Sequence, residues 1–262
     1  MKLFGRKRAG VRVGLCLSGG GARGFAHIGA VRAFEEAGIK FDLIVGVSAG
    51  AIIGALYAAG VPSAEMARYG AALEMKRVHS GPLFAPNDAM NVGRIVTDLV
   101  GEADIERLPT KFACVAVDLV EAREVIIDRG PVGIAVAASA AVPAVFKPVV
   151  RGEQHLVDGG LLNNIPSDVC KMLGADKVVT VDINSARGGG TKELGLVPVV
   201  KAALSIALAN SSLKGFANTD VLIAPDTARF KSTDKAGFEE MMEEGYKAAL
   251  SQIKHIEALR QG

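Results

Sequence analysis

The apolar run Leu43-Ile44-Val45 leads directly into Gly46-Val47-Ser48-Ala49-Gly50, and an Ala- and Gly-rich segment follows. This order reads as a strand, a sharp turn carrying a serine, and a helix. Glycine is needed on both sides of the serine, because a Cβ at either flank would crowd the strand or the helix against it. The helix that follows points its first amides, and the positive end of its dipole, toward the serine oxygen. A window of hydropathy over Leu43 to Ala64, which holds no charged residue, would suggest a membrane span. Gly46, Ser48, Gly50 and the Gly60-Val61-Pro62 stop instead divide it into a strand of about five residues and a helix of about twelve. Gly130 to Phe146 is uncharged too, but Pro131 and Pro143 interrupt it.

A G-x-S-x-G pentapeptide arises easily by chance in a glycine-rich chain, so its neighbours decide its meaning. Upstream, Val11 to Leu17 reads as a first strand that enters Ser18-Gly19-Gly20-Gly21-Ala22-Arg23-Gly24 and then a helix. Consecutive glycines there leave bare backbone whose N–H groups can face one point, which suits a phosphate or an oxyanion. Downstream, His155-Leu156-Val157-Asp158-Gly159-Gly160 contains the single Asp-Gly of the chain. Taken alone, Asp158 is either a turn aspartate or a carboxylate held for catalysis.

With these three motifs in this order, the chain resembles the patatin-like phospholipases. A further stretch, Ala138 to Pro148, is similar to the block that family carries shortly before its aspartate. The resemblance covers roughly residues 11–185. It implies a three-layer α/β/α sandwich with a mostly parallel, doubly wound sheet. It also implies a hydrolase of lipid acyl esters that works through a dyad, Ser48 and Asp158, without histidine. In that reading Gly46 and Gly50 shape the elbow, and Gly159 and Gly160 follow the acid. The oxyanion loop comprises Gly19, Gly20, Gly21, Arg23 and Gly24, with the Gly20 and Gly21 amides as donors. Arg23 either supports the developing charge or fixes the loop through a surface pair.

The rest of the chain agrees with an α/β reading. Half the residues are hydrophobic, aromatics are scarce and tryptophan is absent, which suits a parallel sheet under Ala-rich helices. Further strands are expected at Lys111 to Val117, Glu124 to Asp128, Lys177 to Asp182 and Val221 to Ile223. Helices are expected near Ser63 to Glu74, Val92 to Val100, Val132 to Ala140, Pro166 to Leu173, Val197 to Asn210 and Phe238 to Ala258. Strands alternating with helices imply helices on both faces of one sheet, with the site beyond the carboxyl ends of the strands. No linker divides the chain, so residues 1–10 are read as a basic tail and 11–262 as one domain. A net charge of +2 argues against a nucleic-acid partner. Three cysteines without framework spacing read as buried thiols in a reducing, cytoplasmic setting. The acids and histidines lack metal-ligand spacing, so neither metal nor cofactor is expected.

Several readings stay open at this level. Gly19-x-Gly21-x-x-Gly24 with Asp42 also fits a dinucleotide fingerprint, although Asp42 stands at the start of the second strand rather than its end. A histidine triad would need His27, His79, His155 or His255 at Ser48. His155, three residues before Asp158 on one strand, should face away from it. A catalytically silent regulatory module on the same fold is the non-enzymatic alternative. Arg77 to Asn91 is either a mobile rim of the site or a packed connection. Leu194 to Leu213 is either a buried core helix or an apolar face for peripheral membrane contact, to which the basic tail would add weak attraction. Oligomeric state leaves no trace in the sequence.

Overall fold

The computed structural model describes residues 10–75, 87–184, 192–193, 195–230 and 237–261. Its strands are β1 (Val13–Leu17), β2 (Leu43–Val47), β3 (Lys111–Asp118), β4 (Arg123–Ile127), β5 (Val149–Arg151), β6 (Gln154–Asp158), β7 (Lys177–Val181) and β8 (Val221–Ile223). The helices are α1 (Phe25–Glu36), α2 (Ala49–Ala58), α3 (Ser63–Met75), α4 (Met90–Val100), α5 (Val132–Ser139), α6 (Ser167–Met172), α7 (Leu196–Ser211), α8 (Leu213–Phe216), α9 (Phe238–Leu250) and α10 (Ile253–Leu259).

β3, β2, β1, β7 and β8 lie side by side in that order and run parallel, while β4, β5 and β6 join by antiparallel pairing. Successive side chains of the parallel strands point to opposite faces. Val13, Leu15, Leu17, Ile44 and Phe112 enter a larger core with Phe34 of α1, Val96 of α4 and Val136 of α5. Cys16, Val45, Val47, Ala113 and Val178 enter a smaller core with Val169 and Cys170 of α6. Both faces of the sheet are therefore covered, and this is why the strands read as unbroken apolar runs. The expected three-layer α/β architecture is present. Cys16, Cys114 and Cys170 are free and buried within it.

One detail of register places the site. Over Cys114 to Asp118, one edge of β3 carries β4. The other edge is shared in succession: β2 pairs with β3 as far as Val115, and β6 takes over from Ala116. β2 and β6 thus meet carboxyl end to carboxyl end in a single lane. Asp158, expected directly after a strand, is the last residue of β6, an antiparallel strand arriving from the direction opposite to β2.

Other boundaries differ for local reasons. β1 begins at Val13 rather than Val11, and β4 spans Arg123–Ile127. β5 escapes the sequence reading because it is three residues long and lies between Pro148 and Gly152. The expected last helix is broken near Ser251, where a tighter turn from Gln252 N–H to the Ala249 carbonyl separates α9 from α10. α7 is not a buried core helix: Val199, Val200 and Ile206 are exposed. Residues 1–9 and 76–86 fall outside the described residues, and with them the basic tail and most of Arg77 to Asn91. The remainder of that stretch bridges to the end of the Ala138 to Pro148 block, Asn87 N–H donating to the Val145 carbonyl at 2.9 Å.

α9 packs across α1 at backbone distance. A Cβ on Gly29 would strike the Met242 carbonyl, and one on Gly245 would strike the Ala26 carbonyl. Neither obstacle is a side chain that can turn away. Gly245→Ala is expected to lower the unfolding free energy by about 2–3 kcal/mol in urea titration. A change below about 0.5 kcal/mol, the range of an ordinary surface substitution, would refute this crossing.

Candidate active site

Ser48 occupies the turn between β2 and α2 with φ 53° and ψ −120°. A side chain at positive φ stores strain of order 1–3 kcal/mol and persists only where its surroundings force it. Here three constraints do so. The Ser48 N–H donates to Ser139 Oγ at 3.0 Å, and that hydroxyl donates onward to the Val115 carbonyl at 2.6 Å. The Ser48 carbonyl accepts from Ala51 and Ile52 N–H, starting α2. The glycines on either side allow the close approach inferred from the sequence. A Cβ on Gly46 would strike the Gly50 carbonyl, and one on Gly50 would strike that of Leu17.

Asp158 faces Ser48 across the junction of β6 and β2. Its N–H donates to the Ala141 carbonyl at 3.0 Å. Its carboxylate accepts from Gly160 N–H at 2.8 Å, and the Ser48 hydroxyl is close enough to favour its charged form. Gly159 must be bare, since a Cβ would collide with the Val115 carbonyl. Only 4% of Asp158 is exposed. Burial pushes its carboxyl up to about 6, and the hydrogen bonds from Ser48 and Gly160 limit the rise.

The glycine-rich loop is held from several sides. The Gly19 N–H donates to the Asn164 carbonyl at 3.2 Å, and the Gly19 carbonyl accepts from the Asn184 side chain. With both its N–H and its carbonyl engaged, Gly19 is fixed in place within the loop. Gly24 serves packing, its missing Cβ making room for the Ala49 methyl at 2.8 Å. Gly20 lies against Ile183, and Gly21 takes φ 60° as the chain turns into α1. The Gly20 and Gly21 amides have no partner among the described residues. Arg23 donates to Asn184 Oδ1 at 3.0 Å, a contact that ties the loop to the chain beyond β7. Burial lowers its guanidinium pKa, against the pull of Asp182.

His27 is fully buried, and its Nε2 lies 2.8 Å from the Ser18 carbonyl, to which it donates. Burial drops its pKa to about 4, so it stays neutral and orients the loop. His155 and His255 are exposed, and His79 lies outside the described residues. Asp42 sits at the amino end of β2, where Val13 N–H and Arg260 bind its carboxylate. The dinucleotide reading thereby loses its ribose-binding acid.

Three residues of this site were not singled out from the sequence. Ser139 lies in the Ala138 to Pro148 block, which was noted only as a whole. Asn164 adjoins the Asp-Gly-Gly turn. Asn184 stands beyond the carboxyl end of β7, a position that marks site residues in sheets of this kind.

Residues 15–171 match the patatin-like phospholipase family, and the chain belongs to it. An NTE family protein of Mycobacterium tuberculosis is 37% identical over 199 residues, 74% of this chain and 34% of that protein. Lysophospholipase nte1 of Aspergillus fumigatus is 36% identical over 190 residues, 69% of this chain and 12% of that protein. The chain thus spans well under two thirds of the length of these relatives. Among solved structures, VipD from Legionella pneumophila shares the fold with a TM-score of 0.55 and 16% identity, over 94% of this chain and 67% of that one.

The raised Asp158 pKa has a consequence for stability. The folded state holds this proton more tightly than the unfolded chain, whose reference value is 3.8. Stability therefore falls as pH climbs from about 4 to about 6 and stays lowered above that. Asp158→Asn removes the buried charge. At pH 8 it should raise the unfolding free energy by up to about 3 kcal/mol, and at pH 3 it should change little. Chemical denaturation at both values checks this, and a destabilised variant at pH 8 would contradict it.

Proposed function

We propose that the chain hydrolyses acyl esters of lipids through a Ser48–Asp158 dyad. Ser48 Oγ attacks the ester carbonyl and its proton passes to Asp158. The oxyanion is received by the Gly20 and Gly21 N–H groups, and the alcohol leaves with the proton from Asp158. Water, deprotonated by the same carboxylate, then attacks the acyl-enzyme; Ser48 recovers the proton and the fatty acid departs. The observation that carries this reading is the register that brings the strained Ser48 turn and the buried Asp158 to the same seam beside β3; burial pushes that carboxyl up to about 6. Such a base works closer to neutral pH than an ordinary aspartate. Membership of the patatin-like phospholipases, and a relative named a lysophospholipase, support a lipid ester as substrate. The exposed Val199, Val200, Ile206 and Leu213 on α7 and α8 form the surface by which the chain meets lipid. Among the described residues no helix is long and apolar enough to cross a membrane.

The test is fatty-acid release from lysophospholipid in vesicles and from p-nitrophenyl acetate. Ser48→Ala should fold normally and lose at least about 10³-fold in turnover of either substrate. Wild-type kcat/KM should rise with pH through an apparent pKa near 6, as Asp158 becomes the free carboxylate. Alanine at His27, His79, His155 or His255 should leave measurable turnover in every case. A folded histidine variant as inactive as Ser48→Ala would replace the dyad with a triad. Turnover of the acetate alone would remove the lipid substrate and leave the serine chemistry.

A further inference from the structure

A cavity of about 180 Å³ opens beside the glycine-rich loop, and its wall is carbon almost throughout. Gly21, Gly24 and Ala49, the neighbour of Ser48, form one end of it. From there it follows a single face of α2, through Ile52 and Ile53 to Leu56. Seven residues of helix make this path about 10 Å long. α1, α3 and α4 close the other sides. The Tyr69 hydroxyl donates to Asp98 at 2.5 Å and straps α3 to α4.

The two ends of the cavity can be told apart. Gly70 lies against the Phe25 ring at the loop end, where a Cβ would come within 2.7 Å of it. Met66, one turn earlier in α3, is nearly fully buried and lines the cavity too; α3 starts at Ser63, just after α2 ends at Ala58, so Met66 lies toward the Leu56 end of α2. No charged side chain lines the space, so a polar head group has no partner in it. Well-packed interiors keep few voids larger than a water molecule. An apolar void of this size that begins at the nucleophile's neighbour matches a hydrocarbon chain.

The geometry points to a chain-length gauge: this cavity receives the acyl chain of the substrate and limits it to medium length, with Met66 as the end wall. The inference rests on the proposed Ser48 chemistry and adds the acyl specificity to it. An apolar cavity of about 150 Å³ holds benzene, so the present one takes about six to eight carbons.

The experiment compares p-nitrophenyl acetate, octanoate and palmitate with the full chain. Each methylene that enters the cavity multiplies kcat/KM by up to about fourfold, so octanoate should exceed acetate by at least about 50-fold, and palmitate should not exceed octanoate. Gly70→Val pushes the Phe25 ring into the cavity and should cut the octanoate-to-acetate ratio at least about tenfold; general damage cancels in that ratio. Met66→Ala, should Gly70→Val fail to fold, deepens the cavity and should raise the palmitate-to-octanoate ratio. A calorimetric titration with octanoate and with acetate adds a readout that needs no turnover: wild type should bind octanoate, and Gly70→Val should weaken that binding. Ester hydrolysis with no dependence on chain length, or ratios unmoved by the variants, overturns the gauge and leaves the serine reading standing. Octanoate binding sensitive to Gly70→Val, in a protein that cleaves no ester, upholds the cavity and overturns the serine reading.

Discussion

Two strands meet end to end beside β3, and everything at the site depends on that meeting. β2 and β6 run toward each other along one edge of β3, and their carboxyl ends meet between Val115 and Ala116. A serine leaves one end and an aspartate the other. The Val115 carbonyl lies at the seam, where Ser139 occupies it and Gly159 must stay bare to pass it. Placing the two side chains on opposed strands fixes their separation by backbone register rather than by long, flexible side chains. That is the kind of rigid support a reacting pair needs.

The arrangement opposes stability in two ways. Ser48 holds a backbone conformation that its side chain disfavours, and Asp158 keeps a carboxylate out of water. Both costs are offset by the packing around them, in the larger core on one face of the sheet and the smaller one on the other. Strain and desolvation concentrated at two facing residues are the usual mark of a functional site. The histidine nearby contributes differently. His27 is buried and neutral, and it holds the Ser18 carbonyl at the start of the glycine-rich loop without adding a charge there.

Much of this was legible in the sequence, for physical reasons. The elbow glycines, the three-glycine loop and the Asp-Gly-Gly turn each demand a missing Cβ, and composition reports that demand directly. The parallel strands showed as unbroken apolar runs because both faces are buried. What stayed hidden depends on register and on side chains that reach across the fold. Nothing local to Asp158 reveals that its strand runs antiparallel to β3, because strand direction leaves no trace in a five-residue segment. Ser139 and Asn184 act through single hydrogen bonds to distant backbone, and small polar residues of their kind occur everywhere. Gly19 shows the reverse case: its bareness was readable, but the partner that takes its N–H, Asn164, was not. α7 stayed open between two readings because an apolar composition does not say which face is covered.

The central claim is that Ser48 is a nucleophile activated by Asp158 and by no other base. A fluorophosphonate carrying a short alkyl chain reacts covalently with such a serine, and mass spectrometry of the digested protein locates the adduct. The account predicts a single modified peptide bearing the label on Ser48. It also predicts a labelling rate that falls at least about 10²-fold in Asp158→Asn while the loop donors remain. An adduct on any other residue, or an Asp158→Asn protein that labels as fast as wild type, would contradict it.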